Sequence, residues 1–374
     1  MNFSLTEDQV LIRDSAETLL ADASTPAAVR AAMDSAAGFD ESLWQRIAGE
    51  LGWCGTAIAE ESGGLGLGPV ELVLIQEQAG RRLLCAPFFS TVCLGANLLA
   101  ECGTAAARAE YLPAIAAGRL IASAPLGSEL AGWQAPLLSA TRLGETWLLA
   151  GGPLRVPDGM AAELLLLNAR CDDGSTALFA VPRGTRGLTV TPLQTWDASR
   201  RFAAVELQAV QLGAEARVDD PERVEGLARA AALARLYLAA EQLGCAQQCL
   251  DLTVAYVSTR KQFGRAIASF QAVKHRCAEM MVRVESLRSA VYGAAAFAAG
   301  AGPVAAMARE CAMARMLAID TCFFCAQEAI QLHGGVGFTW DYEPQLYFKH
   351  AQASSHWLGN ADALREQIGM SLVA

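Results

Sequence analysis

The sequence predicts an α+β chain of several domains: helices over residues 1–119, a small β unit over 120–216 and helices again over 217–374. Three observations carry this. Apolar residues recur at helical spacing to about Gly118, short apolar runs broken by Gly, Pro and Asp follow, and helical spacing returns from Pro221 to the end. A length of 374 residues is enough for two or three packed units.

Each element has its own signal. Thr6 is placed to cap a helix holding Val10, Leu11, Ala16 and Leu19, and Asp40 to cap one holding Leu43, Trp44, Ile47 and Leu51. The four glycines of Glu60–Gly68 make that stretch a loop, and Pro69 opens the helix from Val70 to about Leu84. The loop has no Lys followed by Ser or Thr, so it is not a Walker phosphate loop. Strands are expected at Thr146–Ala150, Leu164–Ala169, Ala177–Val181, Leu188–Pro192 and Phe202–Leu207. Two amphipathic helices follow, Pro221–Thr259 and Phe270 to about Leu287. Ser289–Ala308 is uncharged, but Gly300–Pro303 divides it into two helices rather than one membrane span. Ala312–Ile330 reads as a further helix, with Gly334 and Gly335 where its C-terminal cap belongs.

Composition narrows the function. Apolar residues are 53% of the chain and charged ones 18%, which suggests extensive burial between helices or subunits. A formal charge of -10 argues against nucleic acid, whose phosphates need a basic face. Glu7, Asp8, Arg13, Asp14 and Glu17 fit neither a secretory nor a transit peptide, so a cytoplasmic location is expected. The eleven cysteines have no disulfide spacing, and Cys322 and Cys325 read as core thiols rather than metal ligands.

Two stretches could carry chemistry. The turn at Gln331–Gly337 either caps a buried helix or brings bare backbone N–H groups to a phosphate, with Gln331 and His333 beside it. Arg260–Arg265, RKQFGR, is either a solvated last helical turn with a Phe263 anchor and Gly264 cap, or an anion site built on Arg260. Together the two could hold a diphosphate.

These residues carry a family resemblance. L-T-E-D-Q at Leu5–Gln9, E-S-G-G-L-G-L-G at Glu61–Gly68, R-K-Q-F-G at Arg260–Gly264 with Phe270–Gln271 beyond, and Q-L-H-G-G-V-G-F-T at Gln331–Thr339 make the whole chain resemble a flavin-dependent acyl-CoA dehydrogenase. The resemblance implies a helical N-terminal domain, a central small β-barrel or sandwich domain and a C-terminal four-helix bundle, assembled as a tetramer or paired dimers. It implies FAD between domains and against a neighbouring subunit. The implied reaction is α,β-desaturation of an acyl-CoA thioester, in which a carboxylate takes the α proton, flavin takes the β hydride, and the electrons leave to an electron-transfer flavoprotein. Position by position, Arg260, Gln262 and Phe263 match the family's FAD-contacting segment; Phe270 and Gln271 match the pair beyond it; Gln331, Gly334 and Gly335 match residues around the adenosine diphosphate. These sites are expected to serve the flavin of an adjoining chain.

The resemblance fails at the base. The position usually held by a Glu before Gly-Thr falls near Leu358, and the alternative position, beside Arg235, is Ala234. Neither side chain accepts a proton. Glu241, about 10 Å along the helix from Ala234, and Asp341, Glu343 and Asp362 around the C-terminal segment are the remaining acids, each expected to be a solvated carboxylate, with Glu241 and Asp362 the candidates kept. The family's T-E-P-x-x-G-S-D is replaced by Ser123–Leu130 and its W-I-T-N by Leu154–Gly159. The ending G-F-T-W-D-Y-E-P resembles a subgroup found in steroid and bulky acyl-CoA breakdown, some members of which form the base-less half of an α2β2 enzyme. The first expectation is therefore a subunit whose partner chain supplies the base. The alternatives are a non-catalytic, FAD-completing partner with a closed cleft, an active homo-oligomer with an atypical acid, and an oxidase relative passing electrons to oxygen.

Overall fold

The computed structural model describes residues 5–126 and 137–373. Six α-helices come first: α1 Glu7–Ala23, α2 Pro26–Asp34, α3 Glu41–Gln45, α4 Pro69–Arg81, α5 Asn97–Cys102 and α6 Ala105–Ala116. Thr6 caps α1 through a reciprocal box with Gln9, and the Asp40 carboxylate accepts from the Ser42 and Leu43 amides at the start of α3. Helix α3 continues as a π-helical turn, Arg46–Glu50, and α5 is preceded by a π-helical stretch, Phe89–Ala96. Leu11 and Leu51 are exposed (69% and 39%) rather than in the core, because each falls on the outer side of its helix.

The middle of the chain forms one curled sheet of seven strands: β1 Ala122–Ser123, β2 Leu138–Leu143, β3 Thr146–Pro157, β4 Leu164–Cys171, β5 Thr176–Pro182, β6 Leu188–Leu193 and β7 Phe202–Gly213. The order is β1-β4-β2-β3-β7-β6, with β5 paired to β4. β1 and β2 both run parallel to β4, and the other pairs are antiparallel. All five expected strands are present. Residues 138–143 and 122–123 add two that the apolar runs did not mark, since LSATRL alternates with polar residues and the other strand has two residues. Alternation sends Trp147, Leu149, Phe179, Val205 and Leu207 into the sheet's own core, where Trp147 meets Phe179 edge-on at 5.3 Å. Of the Ser123–Leu130 segment, residues 127–130 lie outside the described residues.

The C-terminal part holds α7 Gly226–Thr259, α8 Gln271–Ala298, α9 Val304–His333, α10 Pro344–Ser354 and α11 Ala361–Val373, with a hairpin of β8 Lys261–Gln262 and β9 Arg265–Ala266 between α7 and α8. The break between α8 and α9 falls at Gly300–Pro303, as the turn residues require. Helix α7 starts at Gly226 instead of Pro221, because Pro221–Glu225 forms turns closed by Asp220. Cys322 and Cys325 are wholly buried. Among the described residues no cluster of His, Cys, Asp and Glu could hold a metal ion, and no helix is long and apolar enough to cross a membrane.

Helices α4 and α7 cross at two glycines. A Cβ on Gly80 would overlap the Glu241 carbonyl, and one on Gly244 would overlap the Glu77 carbonyl. Elsewhere in a helix Gly→Ala stabilises by about 1 kcal/mol; here backbone overlap reverses the sign. Gly244→Ala is expected to destabilise by about 1–3 kcal/mol, read as a lower urea midpoint at unchanged slope.

Candidate active site

A crevice of about 290 Å³ opens between the sheet and the bundle. Trp196 and Phe202 come from the sheet side, Trp357 from the turn after α10, and Arg155, Asp197 and His356 add polar groups. Arg155 stands within the Leu154–Gly159 stretch. Flat aromatic walls with a few polar atoms suit a planar ring.

Behind Trp357 lies a buried ionic network. Arg200 Nη2 donates to Glu241 Oε2 at 2.6 Å; His350 donates from Nδ1 to Asp197 Oδ2 and from Nε2 to Glu241 Oε1, both at 2.9 Å. Ser199 donates its backbone N–H and hydroxyl to Asp197 Oδ1, and Ser90 donates to Asp158 Oδ2 at 2.6 Å. The Arg200 guanidinium sits over Phe89 at 4.5 Å and Trp357 at 5.0 Å. Burial works against the His350 imidazolium, but the charge and hydrogen bond of Asp197, with those of Glu241, push it up to about 10. Burial likewise opposes ionisation of Glu241, and Arg200 with His350 outweighs it, holding the carboxyl down at about 2. For Asp158 burial wins over Arg200 and Ser90, and its carboxyl rises to about 6. The expectation of Glu241 as a solvated carboxylate is therefore corrected. Only 3% of the residue is exposed, because α7 turns it toward the sheet and not toward solvent. Asp362 does face solvent, 92% exposed and paired with Arg365 one turn on.

The two segments that carry the positions where the resemblance places a base are hydrogen-bonded to each other. Arg235 Nε donates to the Leu358 carbonyl at 2.9 Å, which brings α7 beside Ala234 against the turn at 358. Ala234 is 0% and Leu358 4% exposed, both in the apolar core. Leu358 holds a left-handed backbone (φ 58°), uncommon for a branched residue. Arg315, fully buried, donates to the Ser354 and Trp357 carbonyls and to Gln242, so two guanidiniums fix the turn. Burial lowers the Arg315 guanidinium to about 9.

The residues matched to FAD contacts gather at one end of the bundle. Arg260 is the C-cap of α7 in extended conformation, not part of its last helical turn. Phe263 and Gly264, with φ of 54° and 78°, turn the hairpin. Phe263 is 91% exposed, so it anchors nothing within this chain, though its ring meets Phe270 edge-on at 6.1 Å. Phe270 is the N-cap of α8 and Gln271 its first residue. Gln331 is exposed in the last turn of α9, and Gly334, with φ 67°, caps that helix. Both readings of the glycine pair are compatible here: it ends the helix, and a Cβ on Gly334 or Gly335 would meet nothing within 4 Å, so the backbone is open to approach. Tyr256, one turn before Arg260, stacks on His333 at 4.3 Å and joins the two ends. His333 is buried against Tyr256 and the Ala329 carbonyl instead of facing outward beside Gln331.

The network residues Asp197, Arg200 and His350 escaped sequence reading. Their contacts span 41 to 153 residues, and no local spacing announces them.

The helix–sheet–helix fold, taken with the proteins it is similar to, defines the class of flavoprotein oxidoreductases. Residues 6–119 match the model of the acyl-CoA dehydrogenase N-terminal domain, and residues 227–373 that of the C-terminal domain. The chain belongs to the acyl-CoA dehydrogenase family, whose cofactor is FAD. It is 33% identical over 355 residues to acyl-CoA dehydrogenase IpdE2 of Mycolicibacterium smegmatis, covering 95% of this chain and 96% of that one. Its fold is similar to that of a variant of the Tcur3481-Tcur3483 steroid ACAD (TM-score 0.88, 30% identity, 98% of each chain). It is similar as well to the ChsE4-ChsE5 complex from Mycobacterium tuberculosis (TM-score 0.89, 29% identity, 100% of this chain and 99% of that one).

Proposed function

We propose that this chain is one subunit of an FAD-dependent acyl-CoA dehydrogenase that desaturates a bulky acyl-CoA, such as a steroid side-chain thioester. A homologous partner chain supplies the proton-abstracting carboxylate, and the electrons pass to an electron-transfer flavoprotein. The observation that carries this reading is that Ala234 and Leu358, at the two positions where the resemblance places a base, both present aliphatic side chains to the apolar core. Glu241 is no substitute: a carboxyl held at about 2 by Arg200 and His350 has little proton affinity at neutral pH. The steroid named for one structural neighbour and the two-protein complex of the other support the substrate class and the paired assembly.

FAD, when bound, supplies the hydride acceptor. Trp196, Phe202 and Trp357 would offer flat walls to its ring. Arg260 presents a guanidinium, and Gly334–Gly335 an unobstructed backbone, to the pyrophosphate of a neighbour's cofactor. Gln262, Phe263, Phe270, Gln271 and Gln331 complete that surface.

The test is to produce the chain alone and together with a homologous chain that carries the base Glu, measuring bound FAD and acyl-CoA-dependent dye reduction. Activity confined to the mixture is expected, and Asp362→Asn should leave it unchanged. Turnover by the lone chain would overturn the proposal.

A further inference from the structure

We propose that Arg315 and Arg235 act electrostatically on bound FAD, keeping an uncancelled positive charge beneath the crevice that favours the reduced, negatively charged ring. This rests on the reading that the ring lies in that crevice.

The two guanidiniums stand apart from the other interior cations. Arg200 is paired with Glu241, and His350 with Asp197 and Glu241, so that network sets two positive charges against two negative ones and cancels. Arg315 is the largest of the fully buried side chains, yet every group it reaches is neutral: Gln242 Oε1 at 2.5 Å, the Ser354 carbonyl at 2.6 Å and the Trp357 carbonyl at 3.0 Å. Arg235 likewise ends on the Leu358 carbonyl at 2.9 Å and Gln367 Oε1 at 3.0 Å. Among the described residues neither arginine forms an ion pair, and Arg315 Nε has no hydrogen-bond partner. A buried cation that meets only dipoles is costly to keep. Anchoring carbonyls does not require it, because neutral amide donors do the same. What the charge adds over a neutral donor is its field.

That field falls on the crevice. Both arginines grip residues 354–358, the turn that carries His356 and Trp357, and these two line the crevice together with Gln352 and Ala353 of α10. Burial lowers the Arg315 guanidinium to about 9, which leaves it charged at neutral pH. A hydride carries two electrons and one proton, so the ring that accepts it gains one negative charge, and fixed positive charge nearby favours that change. At an effective dielectric of about 20, opposite unit charges about 10 Å apart shift an equilibrium more than tenfold.

The experiment titrates the FAD-loaded complex of this chain and a homologous chain carrying the base Glu with dithionite against a reference dye. Arg315→Gln keeps a donor and drops the charge. It is expected to lower the equilibrium constant for flavin reduction about tenfold, about 30 mV for a two-electron couple. Arg315→Lys keeps the charge and is expected to stay within about threefold of the wild type. A potential unmoved in Arg315→Gln, or moved equally in Arg315→Lys, overturns the proposal, since a role confined to anchoring the turn does not separate the two variants. Should Arg315→Gln fail to fold, Arg235→Gln against Arg235→Lys is read by the same criterion. Ala353→Trp, which fills the crevice, tests the reading beneath, and bound FAD is expected to fall. If that variant retains all its FAD, no ring occupies this crevice and the reading itself ends. If it loses FAD while wild type and Arg315→Gln share one potential, only the charge assignment ends.

Discussion

Glu241→Ala is expected to cost the fold about 3–5 kcal/mol, the range for removing one member of a buried ion pair. Both Arg200 and His350 would lose a carboxylate partner, and neither reaches water. Arg200 already has Nη1 buried without a hydrogen-bond partner, so its desolvation rests on Glu241 and on the Phe89 and Trp357 rings. Urea unfolding of Glu241→Ala, Arg200→Ala and the double variant closes a thermodynamic cycle. The double variant should lose less than the two single losses added together, because it leaves no orphaned charge of that pair. Additive losses would show that the pair is not coupled.

The second large effect is alkaline. The folded state raises His350 from 6.5 to about 10, so the stability it contributes is fully present below pH 6.5 and is lost as pH climbs through 10. Unfolding free energy should therefore fall by a few kcal/mol between those limits, and His350→Gln should flatten the slope there. The acid side has the opposite sign. Glu241 is lowered from 4.5 to about 2, so its contribution is present above pH 4.5 and disappears as pH falls through 2. Asp158, raised from 3.8 to about 6 by burial, contributes below pH 3.8 and loses that contribution as pH rises through 6. Equal slopes for wild type and His350→Gln between pH 6.5 and 10 would refute a charged His350.

Much of this architecture is legible in the sequence because its signals are local. Thr6 with Gln9, Asp40 before its helix, Pro69 at a first turn and Gly334 past a last one each mark a boundary within a few residues. The bundle-end surface was legible for the same reason, since Arg260 to Gly264 and Gln331 to Gly335 are contiguous runs. The ionic network was not. Charge alone suggests an exposed carboxylate at Glu241, and only the packing of α7 against the sheet reverses that. The lack of a base at Ala234 and Leu358 was legible from their identities, but the hydrogen bond from Arg235 to the Leu358 carbonyl, across 123 residues, was not. Strand β2 stayed hidden because Ser139, Thr141 and Arg142 dilute its apolar residues.

The glycine crossing of α4 on α7 has a consequence for motion. With the Gly80 and Gly244 backbones touching their neighbours' carbonyls, α4 and α7 lie closer at that crossing than an intervening side chain would allow, so sliding one past the other would first require lifting them apart.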